Sequence, residues 1–326
     1  MTQLKNIAIC IILSLFLFGC EDVIEFNDNQ SEPMLVTHVI AMPDSTLYAQ
    51  ITKSVFFLES TSDPLKNKNG NYLGVNNALV KLYVNNVFKE NMTLVSGDSG
   101  IYKANYIPQE NEEIRVIVSS PSFTKEAEGK TILPKKTSMT VDTVITYNQE
   151  YSMIYDETGS LGYDTIQYKR ITYTIHFIDN GADENYYGIE VLDDYSLVSE
   201  DYGYYNPDTT DVNRYLSTSD ETVFGGSAME PILIFDDKKI NGQSYSFSFY
   251  IEDMVNTETY YTSLVTKKRK LRFFSLNKDA YLFMTSAKKN YETSGMSMFS
   301  EPSQVYSNIE NGIGIIGGYS VVVKEY

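Results

Sequence analysis

The stretch Tyr168-Lys169-Arg170-Ile171-Thr172-Tyr173-Thr174-Ile175-His176-Phe177-Ile178 is the clearest structural signal in the sequence. Every second residue from Ile171 to Phe177 is apolar or aromatic, and the residues between them are polar. Such an alternation places one set of side chains on a buried face and the other on a solvent face, which is typical of a half-buried β-strand. The stretch therefore predicts a protein that is built mainly from β-sheets.

Shorter stretches with the same alternation occur on both sides of this strand, separated by turn signals. About seven of them follow one another in residues 33–134 without a helical period, which predicts a β-sandwich of immunoglobulin or transthyretin type. Residues 135–326 predict a larger second β domain, either a sandwich or an open barrel. The boundary is expected at Thr131–Lys136, where Pro134 interrupts the strand pattern.

One segment of the second domain has the periodicity of a helix instead. Asn277 can cap a helix near residues 277–292, because its side chain can accept a hydrogen bond from the first turn. The apolar residues of this segment recur on one face, namely Ala280, Phe283, Met284, Ala287 and Tyr291. We expect this amphipathic helix to pack on a sheet.

The first 19 residues have the features of a lipoprotein signal peptide. Lys5 precedes the apolar run Ile7–Phe18, which suits a signal core and is shorter than the roughly 20 residues of a membrane-spanning helix. The run ends in Leu17-Phe18-Gly19-Cys20, which is typical of a lipoprotein processing site. We expect cleavage before Cys20 and lipidation at Cys20; the alternatives are an ordinary secretory signal or an uncleaved anchor.

Residues 20–32 are acidic and polar, which predicts a tether between the lipid and the fold. Glu21-Asp22 directly after Cys20 resembles a surface-export signal, so we expect the protein on the outer membrane and displayed at the cell surface. The alternative locations are the periplasmic face of that membrane, or a linker whose acidity carries no export information.

Charge and cysteine content exclude several classes of function. The chain of 326 residues has 43 acidic and 26 basic residues and a net charge of −17, which disfavours nucleic acid as a partner. Its two cysteines are Cys10 in the signal and Cys20, so the mature body would have no internal disulfide and no thiolate for catalysis or metal binding.

Both ends of the sequence resemble one family. The N-terminal Cys20-Glu21-Asp22, the stretch Pro33-Met34-Leu35-Val36 and, most specifically, Glu301-Pro302-Ser303-Gln304-Val305-Tyr306-Ser307-Asn308-Ile309-Glu310-Asn311-Gly312-Ile313-Gly314-Ile315 are similar to the DUF4249 lipoproteins of Bacteroidota. The resemblance covers essentially the whole mature chain and implies no activity or catalytic residue. It implies an accessory role in uptake, because genes of this family often accompany TonB-dependent outer-membrane receptors.

The sequence offers little for catalysis or metal binding. His38 and His176 lie in separate strand patterns, and there is no G-x-S-x-G nucleophile motif or glycine-rich phosphate loop. The adjacent pairs Asp193-Asp194 and Asp236-Asp237 would face opposite sides of a strand, which is unsuitable for an acid–base pair. We therefore expect no enzyme activity, no metal site and no cofactor.

Residues 193–228 are polar and are expected to form one long loop, which in a compact domain is often functional or disordered. Four tyrosines lie among its aspartates and serines, and we interpret them as a candidate binding surface: Tyr195, Tyr202, Tyr204 and Tyr205. Tyrosine is common in recognition loops because it supplies a large contact area with a polar tip. The alternative is that these rings fold back on the sheet.

Together these observations predict a lipid-anchored outer-membrane protein of unknown molecular activity. The expected role is a non-enzymatic binding or accessory component of a TonB-dependent nutrient-uptake system. The alternative is a surface adhesin or a structural protein of the cell envelope, which would need no receptor.

Overall fold

The computed structural model describes residues 32–55, 66, 69–70, 72–95, 97, 99–155, 161–198, 209–224, 226–255, 263–296 and 303–326. The predicted signal peptide and Cys20 lie outside these residues. Residues Pro33–Tyr326 belong to one unit, and the described parts of that unit contain eighteen strands and one helix. The prediction of a mostly β protein with one packed helix is confirmed.

The strands of the first half match the sequence pattern closely. In most of them the alternating apolar residues are buried, as in Leu35–Ala41, where every second residue is almost inaccessible to solvent, whereas β4 and β5 are largely exposed. The strands are β1 Leu35–Ala41, β2 Tyr48–Lys53, β3 Leu79–Val84, β4 Val87–Asn91, β5 Thr93–Leu94, β6 Ile101–Lys103, β7 Glu113–Ser119 and β8 Ala127–Ile132.

The second half contains longer strands and the helix. The strands are β9 Met139–Tyr155, β10 Leu161–Ile178, β11 Tyr186–Val198, β12 Thr209–Asn213, β13 Leu216–Thr218, β14 Ala228–Glu230, β15 Ile232–Asp236, β16 Ser244–Val255, β17 Ser263–Leu276 and β18 Ile313–Glu325. The helix α1 spans Lys278–Met296 and lies between β17 and β18 in the chain.

A single large sheet runs through both halves of the fold. Its strand order is β12-β11-β17-β18-β1-β2-β6-β5, and β15 also pairs with β11. The last strand, β18, lies in the middle of this sheet, antiparallel to β17 and parallel to β1. The first strand of the fold therefore completes its pairing only when the last strand is present.

Two smaller sheets pack on the large one and form two separate cores. The four-stranded sheet β4-β3-β7-β8 encloses the first core with β1, β2 and β6, and the five-stranded sheet β14-β13-β16-β10-β9 encloses the second with β11, β15 and β17. Strand β18 contributes Ile316 to the first core and Val322 to the rim of the second. The aromatic rings Tyr173, Tyr187 and Phe273 lie in the second core.

The predicted boundary near Pro134 coincides with the passage from the first core to the second. Leu133 belongs to the first core and Met139 to the second. The large sheet nevertheless crosses from one half to the other through the β1–β18 pair. The division into two domains stays a prediction.

The helix covers the opposite face of the large sheet. Asn277 caps it by accepting a hydrogen bond from the Ala280 N–H at 2.9 Å, as predicted. A Cβ atom at Gly317 would lie only 3.2 Å from the Ala280 Cβ, so the helix and β18 are in close contact there. The prediction that Tyr291 belongs to the apolar face of the helix is wrong, because this residue is 81% exposed on the last turns of α1.

The prediction of one loop at residues 193–228 is wrong for most of the residues of that segment that the structure describes. Strand β11 continues to Val198, and β12 and β13 lie within the same range. The error has a physical cause: Asp193 occupies a buried strand position, and a charged residue at such a position disrupts the apolar alternation that identifies a strand.

Candidate functional site

The long strands of the second half all end at one side of the fold. Residues Tyr155 and Leu161 pair at the end of β9 and β10, and Val198 pairs with Ser263 at the end of β11 and β17. Strand β16 ends in the same region, where Val255 pairs with Gln167 of β10. We call this side, where the strands extend past the second core, the strand-end region.

An arginine–aspartate network lies at the base of the strand-end region. Asp193 on β11 is completely buried. Arg269 on β17 donates two hydrogen bonds of 2.6 Å to it, from Nε to Oδ1 and from Nη2 to Oδ2. The two residues belong to neighbouring strands of the large sheet and face the five-stranded sheet. A bidentate pair of this kind is among the strongest polar contacts in proteins.

Two further residues complete the arginine–aspartate network from other elements. Arg214, between β12 and β13, donates from Nη1 to Asp193 Oδ2 at 2.8 Å and lies 2.7 Å from Asp253 Oδ1. Asp253 on β16 also accepts from Arg269 at 3.2 Å. The network therefore connects the large sheet to the five-stranded sheet at the point where the aromatic core ends.

The charges of the arginine–aspartate network stabilise one another. Burial alone would lower the pKa of Arg269, but the hydrogen bonds and charges of Asp193 and Asp253 outweigh it and raise that pKa. Burial alone would raise the pKa of Asp253, but Arg269 and Arg214 outweigh it and lower that pKa. Arg269 and Asp253 are therefore held in their charged states, which suits a structural clamp and does not suit proton transfer.

Strand β9 exposes a run of apolar side chains next to the strand-end region. It forms one edge of the five-stranded sheet, and its exposed fractions are 58% for Val144, 50% for Ile145, 61% for Tyr147 and 86% for Tyr151. Large apolar side chains that cluster on a surface often mark an interaction site. Sequence reasoning missed this feature, because a strand pattern alone does not show which strand lies at an edge.

The structure describes one of the four tyrosines that were predicted to form a binding surface. Tyr195 lies in β11, where it pairs with Thr266 directly after a bulge, so its backbone is strand and not loop. Tyr202, Tyr204 and Tyr205 lie outside the described residues. The prediction that these four rings form a binding surface stays a prediction.

The two histidines have different surroundings. His176 Nδ1 lies 2.6 Å from Ser246 Oγ, and His176 Nε2 lies 3.1 Å from Asp142 Oδ2, on the outer face of the five-stranded sheet. These are the residue types of a hydrolase triad, but the Asp142 side chain is 80% exposed, whereas a triad aspartate is buried where it can stabilise the imidazolium. His38 packs against Phe283 of α1, and burial lowers its pKa.

A wide surface groove of about 1160 Å³ lies at the opposite end of the second core. Lys135, Asn180, Asn185, Tyr186 and Lys278 are among the residues that line it. Two of its lining residues, Lys278 and Glu184, form an ion pair at 3.2 Å.

Within the described ranges, no group of three or more histidine, cysteine, aspartate or glutamate side chains is arranged to hold a metal ion. The helix α1 lacks the length of apolar sequence that a bilayer-crossing helix has, and it is the one helix among the residues described.

Comparison with known sequences identifies the family of the chain. The search of curated proteins found no match. The family described as Domain of unknown function (DUF4249) matches residues 24–325, a range that contains every described strand and the helix. Because this match covers far more than half of the sequence, the chain belongs to the DUF4249 family.

Proposed function

We propose that this protein is a lipid-anchored outer-membrane lipoprotein that serves as a non-enzymatic binding component of a TonB-dependent nutrient-uptake system. The observation that carries the proposal is the position of Cys20. It ends the apolar run Ile7–Phe18, and the family match begins at residue 24. Cleavage before Cys20 would leave the whole matched body attached to lipid through a short acidic segment.

Two features of the fold support a binding role. The apolar run on the edge of β9 offers a contact surface that a partner can bury. The most deeply buried carboxylate of the strand-end region, Asp193, is occupied by arginine hydrogen bonds and is not available as a general base. We therefore assign the charged residues of the arginine–aspartate network to support of the strands and not to chemistry on a substrate.

The proposal predicts that Cys20→Ser separates the protein from the membrane and from its function. Deletion of the gene should impair the uptake of a nutrient. In the deletion strain, the wild-type chain should fractionate with outer membranes and restore uptake of that nutrient. The Cys20→Ser variant should lose lipid labelling and fail to restore uptake, because one acyl-bearing residue provides the anchor. Membrane fractionation, metabolic labelling with a fatty acid and growth on single nutrients measure these effects.

Cys10→Ser is the matched control, because it makes the same substitution inside the apolar run. It should behave as the wild type. Unlabelled wild-type protein would contradict the anchor. Normal growth of the deletion strain on every transported nutrient would contradict the uptake role and would favour a surface adhesin or a structural envelope protein.

A further inference from the structure

Strand β9 has one edge that no described residue covers. All its residues from Met139 to Tyr155 pair with β10 on one side. On the other side, β9 has no strand neighbour and no backbone hydrogen bond to another described segment. Such an edge presents a row of N–H and C=O groups that can pair with an added strand.

This edge also lacks several of the features by which proteins usually protect exposed strands. Natural edges carry lysines, prolines or bulges that prevent pairing with other chains. The sequence of Met139–Tyr155 contains no Lys, Arg or Pro, and its pairing with β10 runs without a register shift. It is also 17 residues long, whereas strands are usually about 3–10 residues long.

The apolar side chains of β9 are open to solvent because the facing sheet ends before it reaches them. Tyr326, the residue that follows β18, packs edge-to-face on Tyr173, and its hydroxyl contacts Thr143. Beyond Thr143, Ile145 and Tyr147 are half or more exposed. They lie on the face of β9 that would otherwise continue the second core, because Ile145 pairs with the buried Ile171.

The charge on β9 indicates what kind of strand fits. Its charged side chains are Asp142 and Glu150, both exposed and both acidic. Antiparallel pairing of two copies centred on Thr146 would place Asp142 opposite Glu150 twice, and like charges in opposed positions destabilise a sheet. A second copy of this acidic chain is therefore a poor occupant, and a basic strand is a good one.

We propose that β9 is a docking edge that binds an extended segment of another protein in which apolar and basic residues alternate. The segment adds a strand to the five-stranded sheet through backbone hydrogen bonds. Its apolar side chains cover Ile145, Tyr147 and Tyr151, and its basic side chains lie beside Asp142 and Glu150. Binding of such a segment requires neither the lipid anchor nor a receptor.

The test uses two synthetic peptides of about ten residues, which is the length of a long strand. In the first, Lys alternates with Val and Tyr; in the second, Glu replaces each Lys. Fluorescence anisotropy with the full chain in detergent should show the Lys peptide binding at least about tenfold more tightly than the Glu peptide. Amide exchange of residues 139–155 should slow when the Lys peptide is bound, because added-strand hydrogen bonds protect the edge.

The variant Tyr147→Lys/Tyr151→Lys should weaken binding of the Lys peptide at least about tenfold, since it removes two aromatic contacts and adds positive charge to the edge. Tyr48→Lys/Tyr291→Lys is the control, because both tyrosines are exposed, lie outside the five-stranded sheet and give the same charge change. It should change the affinity less than about twofold. Both variants should unfold close to the wild-type temperature, since the four side chains are exposed.

Equal weakening by the two double variants would overturn the proposal, because it would show general attraction to an acidic surface. Equal binding of both peptides, no binding of either peptide, or no protection of residues 139–155 would also overturn it. A wild-type dimer that Tyr147→Lys/Tyr151→Lys abolishes would assign the edge to a second copy of the chain and reject the basic partner.

Discussion

Replacing Arg269 by Met is expected to destabilise the protein by about 3–5 kcal/mol, because it removes the main partner of a fully buried carboxylate. Asp193 would lose two hydrogen bonds of 2.6 Å and would keep the contact with Arg214 at 2.8 Å. The remaining arginine is shared with Asp253, so it cannot compensate for both carboxylates. The loss should separate β11 from β16 at the end of the second core.

Arg170→Met provides the matched control for this prediction. Arg170 pairs with Glu252 at 2.6 Å, but both side chains are about one-third exposed, so the change should cost roughly 1 kcal/mol or less. Denaturant unfolding of the two variants at neutral pH measures the difference. Similar losses for both arginines would contradict the assignment of the arginine–aspartate network as the main polar support of this half.

The pH dependence of the unfolding free energy of Arg269→Met provides a second measurement. The folded protein lowers the pKa of Asp253 below its usual 3.8, so the associated stability is present above pH 3.8 and is lost as the pH falls through the lowered value. The gap in unfolding free energy between wild type and Arg269→Met should therefore narrow on acidification. A gap that stays constant down to the acid transition would indicate lost packing and not lost charge pairing.

Replacing Gly314 by Ala is expected to cost about 3 kcal/mol or more, because both the backbone conformation and the space at this position exclude a side chain. Its φ angle is +119°, and a Cβ atom there would lie 2.1 Å from the carbonyl oxygen of Thr37. Thr37 pairs directly with Gly314 where β1 meets β18. Relief of the clash requires β1 to move, which would open the parallel pair that joins the two halves of the large sheet.

The variant Gly97→Ala separates the cost of the backbone conformation from the cost of the steric clash. Gly97 has a similar φ angle of +112°, but a Cβ atom there would meet nothing within 4 Å. Its replacement should cost only the conformational strain of roughly 1–3 kcal/mol. Thermal and denaturant unfolding of both variants measure the difference, and equal losses would refute the close approach of Thr37 as the reason for glycine at position 314.

The sequence predicted the fold class because alternation is a local property. The strand Tyr168–Ile178 is buried on one face as expected, with Ile171, Tyr173, Ile175 and Phe177 in the second core. The capped helix could be predicted for the same reason, since Asn277 and the apolar residues that follow are close in sequence. The paired carboxylates Asp193 and Asp194 also face opposite ways, one fully buried and the other near Lys270.

Features that depend on distant partners could not be predicted in this way. Asp193 indicated a loop because Arg269, which makes its burial tolerable, lies 76 residues later. The central position of β18 depends on pairing with β1 at the other end of the fold. The extensions of β9 and β10 beyond the core were missed because side chains that the structure describes there, such as Tyr151 and Leu161, are exposed and show no buried face.

The candidate sites illustrate the same limit. The tyrosines at 195, 202, 204 and 205 were predicted to form a binding surface because they are close in sequence. The exposed residues Ile145, Tyr147 and Tyr151 have an ordinary strand composition, and they stand out only because β9 lies at the edge of its sheet. An edge is a property of topology, which a single strand pattern does not contain.

The most direct test of the proposed function is immunoprecipitation of the untagged protein from mildly solubilised envelopes of its native host, followed by mass spectrometry. The wild type should bring down one TonB-dependent outer-membrane receptor in near-stoichiometric amount, and the Cys20→Ser variant should not. Recovery of the wild-type protein alone, under conditions that keep other outer-membrane complexes intact, would contradict a role as a component of an uptake system.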